Sequence, residues 1–529
     1  MRKAYILLVL LMQALWLQAN DNQWMLGGEL SNSAATSVED IDEVMPRMKA
    51  AGLNTVLVPA YWELMEPTEG QFDFTLIDRV VTKARENDLK VIFLWFGVWK
   101  NSMSCYAPAW FKQNTKKSPR AMTKAGKPLE IATAFSENVF QADNRAFNAL
   151  IRHLKDTDSK ERTVTMVQVE NEIGMLEDAR DHSPLAEKAY KEPVPAELLK
   201  ALGLKKKGTW SEVFGTDAAA DEQFQAWHYA RYVQRLAASA HEIYDIPFYV
   251  NAAMNSRGRK PGEYPSAGPL AHLAKIWKCA APDIQMLSPD IYDTGFKGWA
   301  SQYAMPDNRL FIPETRCSMN TGVRALYTFG EYQAVGFSPF AIDLAPQMEV
   351  EQVTKAYQLL RQLSALSVTT PSWGLLFDQE DKERIITDGN YVLTCRHYFT
   401  LPWDSRATDG STWREGGGFI IRLAPKEYLV AGSGIVMEFR TAQEQKQAVK
   451  QVLGEDGFAE TGNNSQSAAA SKQWQGTRCG LLSVDQVSID LSGHLQYLRR
   501  DNGDQSHQGR HARISVDEYK ILHIKLYEY

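Results

Sequence analysis

Eight short apolar runs, each followed by an amphipathic stretch at helical spacing, occupy residues 24–365 and leave few folds open to this chain. The runs fall at 24–26, 55–59, 90–96, 163–169, 248–252, 284–288, 310–313 and 336–342. Most are apolar on both faces, as strands of a parallel sheet must be when helices cover them. Between them lie helical patterns such as 38–51, 76–87, 144–155 and 221–243. In the first, Val38, Ile41, Val44, Met45, Met48 and Ala51 recur at mostly three- and four-residue steps. Glu39 and Asp40 sit in its first turn, and Gly52 is the stop. Eight strand–helix units predict an α/β fold, a (β/α)8 TIM barrel with insertions. An open doubly wound sheet would want a glycine-rich phosphate loop after its first strand, and Gly27-Gly28-Glu29-Leu30-Ser31 lacks the later glycine.

After a last helix near 349–366 the rhythm changes. Short strands are expected at 418–423, 427–431, 435–439, 481–489, 495–499 and 521–527, with Gly, Asp and Asn between them. This reads as a smaller all-β domain, a sandwich, so the expected division is a barrel over 20–366 and a β-sandwich over 367–529. The charged insertion at 177–215, with Lys205, Lys206 and Lys207, reads as a solvated surface, and 461–472 as a loop of low complexity. At the other end, Arg2 and Lys3 precede an unbroken apolar run from Ala4 to Met12, extended through Ala14, Leu15, Trp16 and Leu17, with the small residue Ala19 before a polar stretch. That is the form of a secretory signal peptide over 1–19, which implies export to the periplasm or beyond. The run is shorter than the ~20 residues a membrane span needs, so no span is expected in the mature chain. Five widely spaced Cys are not a disulfide framework and include no zinc-type pair. A net charge of -6 gives a nucleic-acid backbone nothing to hold.

Chemistry in a (β/α)8 barrel sits where the strands end. After the fourth run come Glu170, Asn171 and Glu172, and after the seventh comes Glu314. Two carboxylates facing one another across the barrel mouth are what cleavage of a glycosidic bond needs. One protonates the leaving oxygen while the other attacks the anomeric carbon or activates water. Strand alternation puts Glu170 and Glu172 on one face and cannot separate them.

Gln168-Val169-Glu170-Asn171-Glu172-Ile173-Gly174 resembles the Q-V-E-N-E-Y-G signature of family 35 glycoside hydrolases, the β-galactosidases. Val58-Pro59-Ala60-Tyr61-Trp62-Glu63-Leu64-Met65-Glu66-Pro67, followed by Glu69-Gly70-Gln71-Phe72-Asp73-Phe74, is similar to that family's segment after strand 2. Ala107-Pro108-Ala109-Trp110 is a weaker third likeness. The resemblance implies Glu172 as general acid/base, Glu314 as nucleophile, Asn171 against the sugar's 2-hydroxyl, and retention of anomeric configuration. On that assignment Glu172 needs a raised pKa, and Arg316 could hold Glu314 ionised. Where the family carries a sugar-binding acid after strand 3, this chain has Asn101. The likeness is to a divergent bacterial branch whose β-sandwich follows the barrel directly.

Aromatic residues make up 11% of the chain, and sugar rings stack on such faces. Tyr61, Trp62, Trp95, Trp99 and Tyr292 fall at or just beyond expected strand ends, with Glu63, Asn251 and Asp343 as possible hydroxyl partners. No metal or cofactor motif occurs, so none is expected. The reading is therefore a retaining exo-β-galactosidase acting on galactosylated oligosaccharides or polysaccharides. The alternatives are another retaining β-glycosidase, such as an arabinosidase or fucosidase, and a glycan-binding protein without activity.

Overall fold

A computed structural model describes residues 24–255, 257–366, 371–447 and 475–529. The expected signal peptide at 1–19 and the loop at 461–472 lie outside the described residues. The chain divides into two compact units. One comprises Met25–Cys317 and Gly336–Ala345. The other comprises Ser318–Val335 with the described part of Pro346–Tyr529, joined by Trp24.

The first unit holds the barrel strands β1 (Met25–Glu29), β2 (Thr55–Tyr61), β3 (Lys90–Phe96), β4 (Val164–Gln168), β5 (Phe248–Ala252), β6 (Met286–Ile291), β7 (Phe311–Ile312 and Glu314–Thr315) and β8 (Gly336–Phe337). Every pairing is parallel, and the order runs β1 to β8 and back to β1. Closure depends on a break in β7. Pro313 has no N–H to give the ladder, and on either side of it the strand changes partner: Phe311–Ile312 pairs with β8, and Glu314–Thr315 with β6. All seven residues of β2 are buried, as strands covered on both faces require.

Around the strands lie helices α1 (Val38–Ala50), α2 (Thr75–Glu86), α3 (Glu137–Asp158), α4 (Ala218–His241), α5 (Ala274–Ala280) and α6 (Phe296–Tyr303). Their starts are chemically marked. The side chains of Ser37, Ser136 and Asp217 accept the N–H groups of Asp40, Val139 and Ala220, satisfying donors that a helix start leaves open. The charged insertion folds into short helices at Pro184–Tyr190, Ala196–Leu202 and Trp210–Phe214, and Lys205, Lys206 and Lys207 are exposed.

Two barrel strands run longer than their apolar runs. β1 continues through Gly27 and Gly28 to Glu29, and position 28 takes glycine because a side chain there would collide with Leu53 and Ile342. β6 continues through Pro289 to Ile291, pairing with β5. Both extensions place an acid, Glu29 or Asp290, at a strand end.

Among the described residues, the second unit contains α7 (Thr321–Tyr332), α8 (Gln347–Leu363) and ten strands: β9 (Ser372–Phe377), β10 (Glu383–Asp388), β11 (Tyr391–His397), β12 (Gly416–Ala424), β13 (Glu427–Ser433), β14 (Ile435–Thr441), β15 (Cys479–Ile489), β16 (Leu495–Arg500), β17 (Ala512–Ile514) and β18 (Lys520–Glu528). They form a six-stranded sheet, β9-β12-β13-β18-β15-β16, and a four-stranded sheet, β10-β11-β14-β17. A shared core joins them, with Leu375, Ile420, Val430, Leu522 and Ile524 from one sheet and Leu393, Cys395, Ile435 and Met437 from the other. β9, β10, β11 and β17 were not among the expected strands; β10 reads Glu-Arg-Ile-Ile-Thr-Asp, and too few of its residues are buried to leave an apolar run. None of the five Cys, all of them among the described residues, forms a disulfide. Among the described residues no helix is long and apolar enough to cross a membrane.

Candidate active site

The segment after β4 decides which of its glutamates faces the barrel mouth. Glu170 and Glu172 both adopt left-handed backbone conformations, with φ of 60° and 47°. Such angles are uncommon for residues with a Cβ and persist only where surroundings enforce them. Strand alternation ends there, and the two side chains part. Glu170 turns into the wall, where one oxygen accepts the Trp99 N–H at 2.7 Å and the side chain meets Asp143. Asp143 also accepts from Trp95 Nε1 at 2.9 Å and from the Tyr232 hydroxyl at 2.7 Å. Burial raises the pKa of both carboxyls, and the charge of Asp143 raises that of Glu170 well above the carboxylate range. Both shifts favour the protonated form of these buried neighbours.

Glu172 takes the other direction. Its N–H donates to Asn251 Oδ1 at 2.9 Å, and its carbonyl accepts from Ser102 Oγ at 3.0 Å. Its carboxylate accepts from the Asn101 side-chain amide. Burial first, and the charge of Glu314 second, push its pKa up to about 7. Glu314 Oε1 accepts from the amides of Asn171 at 3.4 Å and Asn251 at 3.3 Å, and Oε2 accepts from the Tyr292 hydroxyl at 2.8 Å. One oxygen each from Glu172, Asp290 and Glu314 lie within 4.8 Å of one another. Among the described residues, no other three acidic, His or Cys side chains approach so closely. Arg316, expected to hold Glu314 ionised, is exposed, and Asn171, Asn251 and Tyr292 each donate a hydrogen bond to the Glu314 carboxylate.

Six of the expected residues thus come together: Asn101, Asn171, Glu172, Asn251, Tyr292 and Glu314. Tyr292 is 40% exposed, so its ring is open to a ligand. The other aromatics are packed. Trp62 and Trp95 are fully buried, with their indole N–H groups on Glu66 and Asp143. Trp99 is buried against Tyr229 and Tyr232, and it serves the site through its backbone, whose carbonyl accepts the Asn171 N–H at 3.1 Å. Tyr61 is buried beside Phe96 and Tyr106. Buried rings have no face left for a sugar, because the same dispersion that would bind a ligand is already spent on neighbours. Glu63 lies partly exposed, 3.6 Å from Lys112, and Asp343 accepts both the backbone N–H and the hydroxyl of Ser31.

Three residues of the site went unread in the sequence. Glu29, Asp290 and Lys100 are all buried. Burial, then the charge of Glu314, holds both Glu29 and Asp290 well above the usual carboxylate range. Lys100 lies against Asn171 Oδ1 at 3.0 Å and offsets part of the repulsion at Glu29 and Glu172. The available signal was an acid closing a strand that runs on through Gly-Gly or Pro.

Residues 32–234 match the model of glycoside hydrolase family 42, described as beta-galactosidase. The family 35 likeness rests on the motifs alone. Residues 353–513 of the chain match a domain of unknown function, DUF5597. No curated protein matches the sequence. Among solved structures, the barrel is similar to the β-galactosidase of the psychrophilic Marinomonas ef1, with 14% identity and a TM-score of 0.47 over 64% of this chain and 60% of that one. The β-galactosidase from Bacillus circulans sp. alkalophilus gives 15% identity and 0.45 over 64% and 56%. The catalytic domain of the β-amylase from Paenibacillus polymyxa gives 12% and 0.45 over 62% and 96%. The chain thus spans about 60% of the length of the Marinomonas enzyme.

Proposed function

We propose that the barrel hydrolyses terminal β-galactosides from oligosaccharides or glycan side chains with retention of configuration. The observation that carries this reading is the close approach of Glu172 and Glu314, whose nearest oxygens, together with Asp290, fall within 4.8 Å. Retaining enzymes hold their carboxyl pair at ~5–5.5 Å, whereas inverting ones leave room for a water at ~6.5–9.5 Å. In the first step Glu314 attacks the anomeric carbon, and the C–O bond to the leaving group breaks as Glu172 gives its proton to that oxygen. In the second, Glu172 takes a proton from water, whose oxygen displaces Glu314 and releases the sugar. Burial keeps Glu172 protonated up to about pH 7, which suits an acid working near neutrality. Asn171, which donates to Glu314 at 3.4 Å, meets the sugar's 2-hydroxyl on this reading. The family 42 match over 32–234 and the family 35-like motif at 168–174 both favour galactose as the glycone.

A panel of nitrophenyl β-glycosides tests the reading. The galactoside is expected to be turned over, releasing the β-anomer first. Turnover of an arabinoside or fucoside with none of the galactoside would replace the substrate and keep the mechanism. Release of the α-anomer would overturn the mechanism, and no turnover of any glycoside would favour a binding protein.

A further inference from the structure

Four carboxyl groups converge in this site: Glu29 from β1, Glu172 after β4, Asp290 from β6 and Glu314 from β7. Buried like charges repel strongly and cannot all ionise unless a positive charge answers them. The loop after β3 brings one. Lys100 is 2% exposed, and its backbone is held in a tight turn by reciprocal hydrogen bonds with Met103, at 2.8 and 3.0 Å. Its stem is buried, and its Nζ lies 4.9 Å from the Phe96 ring centroid and 3.0 Å from Asn171 Oδ1. An ammonium can only donate. The oxygen of the Asn171 amide must therefore face Lys100, which turns the NH2 group toward Glu314.

We propose that Lys100 is a positioning residue of this site: its ammonium fixes the Asn171 amide in the orientation that presents NH2 to Glu314 and to the sugar's 2-hydroxyl, and it supplies the buried positive charge that the four acids need. The second half stands on the acid cluster alone; the contact with the 2-hydroxyl rests on the glycosidase reading above. Besides Glu29 and Glu172, Cys105 and Tyr106 from the same loop face Lys100.

Lys100→Met keeps an unbranched stem one atom shorter and removes both charge and donor. With 13C-labelled Glu side chains, the Glu172 carboxyl, identified by its loss in Glu172→Gln, is followed by NMR across pH. Its midpoint is expected to rise by about one pH unit or more in Lys100→Met. Lys100→Gln, also neutral, serves should the first variant not fold, with the same expected rise. An unmoved midpoint overturns the charge role, and this readout needs no turnover. The second readout compares a β-glycoside with its 2-deoxy analogue. Lys100→Met is expected to lower kcat with little change in KM, and to shrink the preference for the 2-hydroxylated substrate by about tenfold. An unchanged preference overturns the role through Asn171. If wild-type protein turns over no glycoside, the glycosidase reading fails, and the titration still decides the charge role.

Discussion

Glu170 and Glu172 leave the same turn, two residues apart, and meet different surroundings. Glu170 is buried beside Asp143 behind the Trp99 backbone, with a pKa raised well above the carboxylate range, so an amide of the same shape should serve nearly as well. Glu170→Gln is expected to stay within about 1 kcal/mol of wild-type stability and to keep activity, as denaturant unfolding and steady-state kinetics will show. Glu172→Gln removes the acid. Hydrolysis of substrates with poor leaving groups should fall about 10²–10⁴-fold, while a good leaving group, needing no proton, still leaves in the first step as a burst. In the wild type the rate should decline as pH rises through about 7, where Glu172 loses its proton, and that alkaline limb should vanish in the variant. Local spacing could name both glutamates but could not choose between them, because the choice is made by two left-handed backbone angles that alternation does not foresee.

The loop after β3 does more for the site than any helix. In four consecutive residues, Trp99 holds Glu170 and Asn171 through its backbone, Lys100 meets Asn171, Asn101 meets the Glu172 carboxylate, and Ser102 meets its carbonyl. Its start is crowded: a Cβ at Gly97 would collide with the Trp95 indole N–H and lie 2.9 Å from Asp143 Oδ1. Gly97→Ala is therefore expected to cost about 1–3 kcal/mol in denaturant unfolding and to lower kcat as the loop shifts. The strands around it were legible to differing degrees, for physical reasons. β3 and β5 are mostly apolar, with only Lys90 and Asn251 breaking the pattern, and match their expected bounds. β1 and β6 continue through Gly-Gly and Pro, residues that ordinarily end strands, and reading them short concealed Glu29 and Asp290.

At the scale of the molecule, the acid cluster ties stability to pH. An unfolded carboxyl titrates near 4.5 and the folded Glu172 near 7, so the native state binds its proton more tightly. That contribution is complete below the lower value and is lost as pH rises through the higher one; Glu29, Glu170 and Asp290 act in the same direction. Denaturation midpoints are expected to fall between pH 5 and pH 8, and to fall less in Glu172→Gln. In the β-sandwich, Leu393 is fully buried in the core between the sheets, and Leu393→Ala should cost about 2–5 kcal/mol by denaturant unfolding. By itself the sequence determined the barrel and the all-β domain after it, because each strand and helix writes its period into a dozen neighbouring residues. It also determined that acids stand at the ends of the fourth and seventh strands. Only the tertiary structure decided which acids share one space. Residues 29, 172, 290 and 314 meet because the sheet closes on itself with β7 split at Pro313. No local pattern records a contact made across the chain. The protonation of these groups follows from that contact and from the water it excludes.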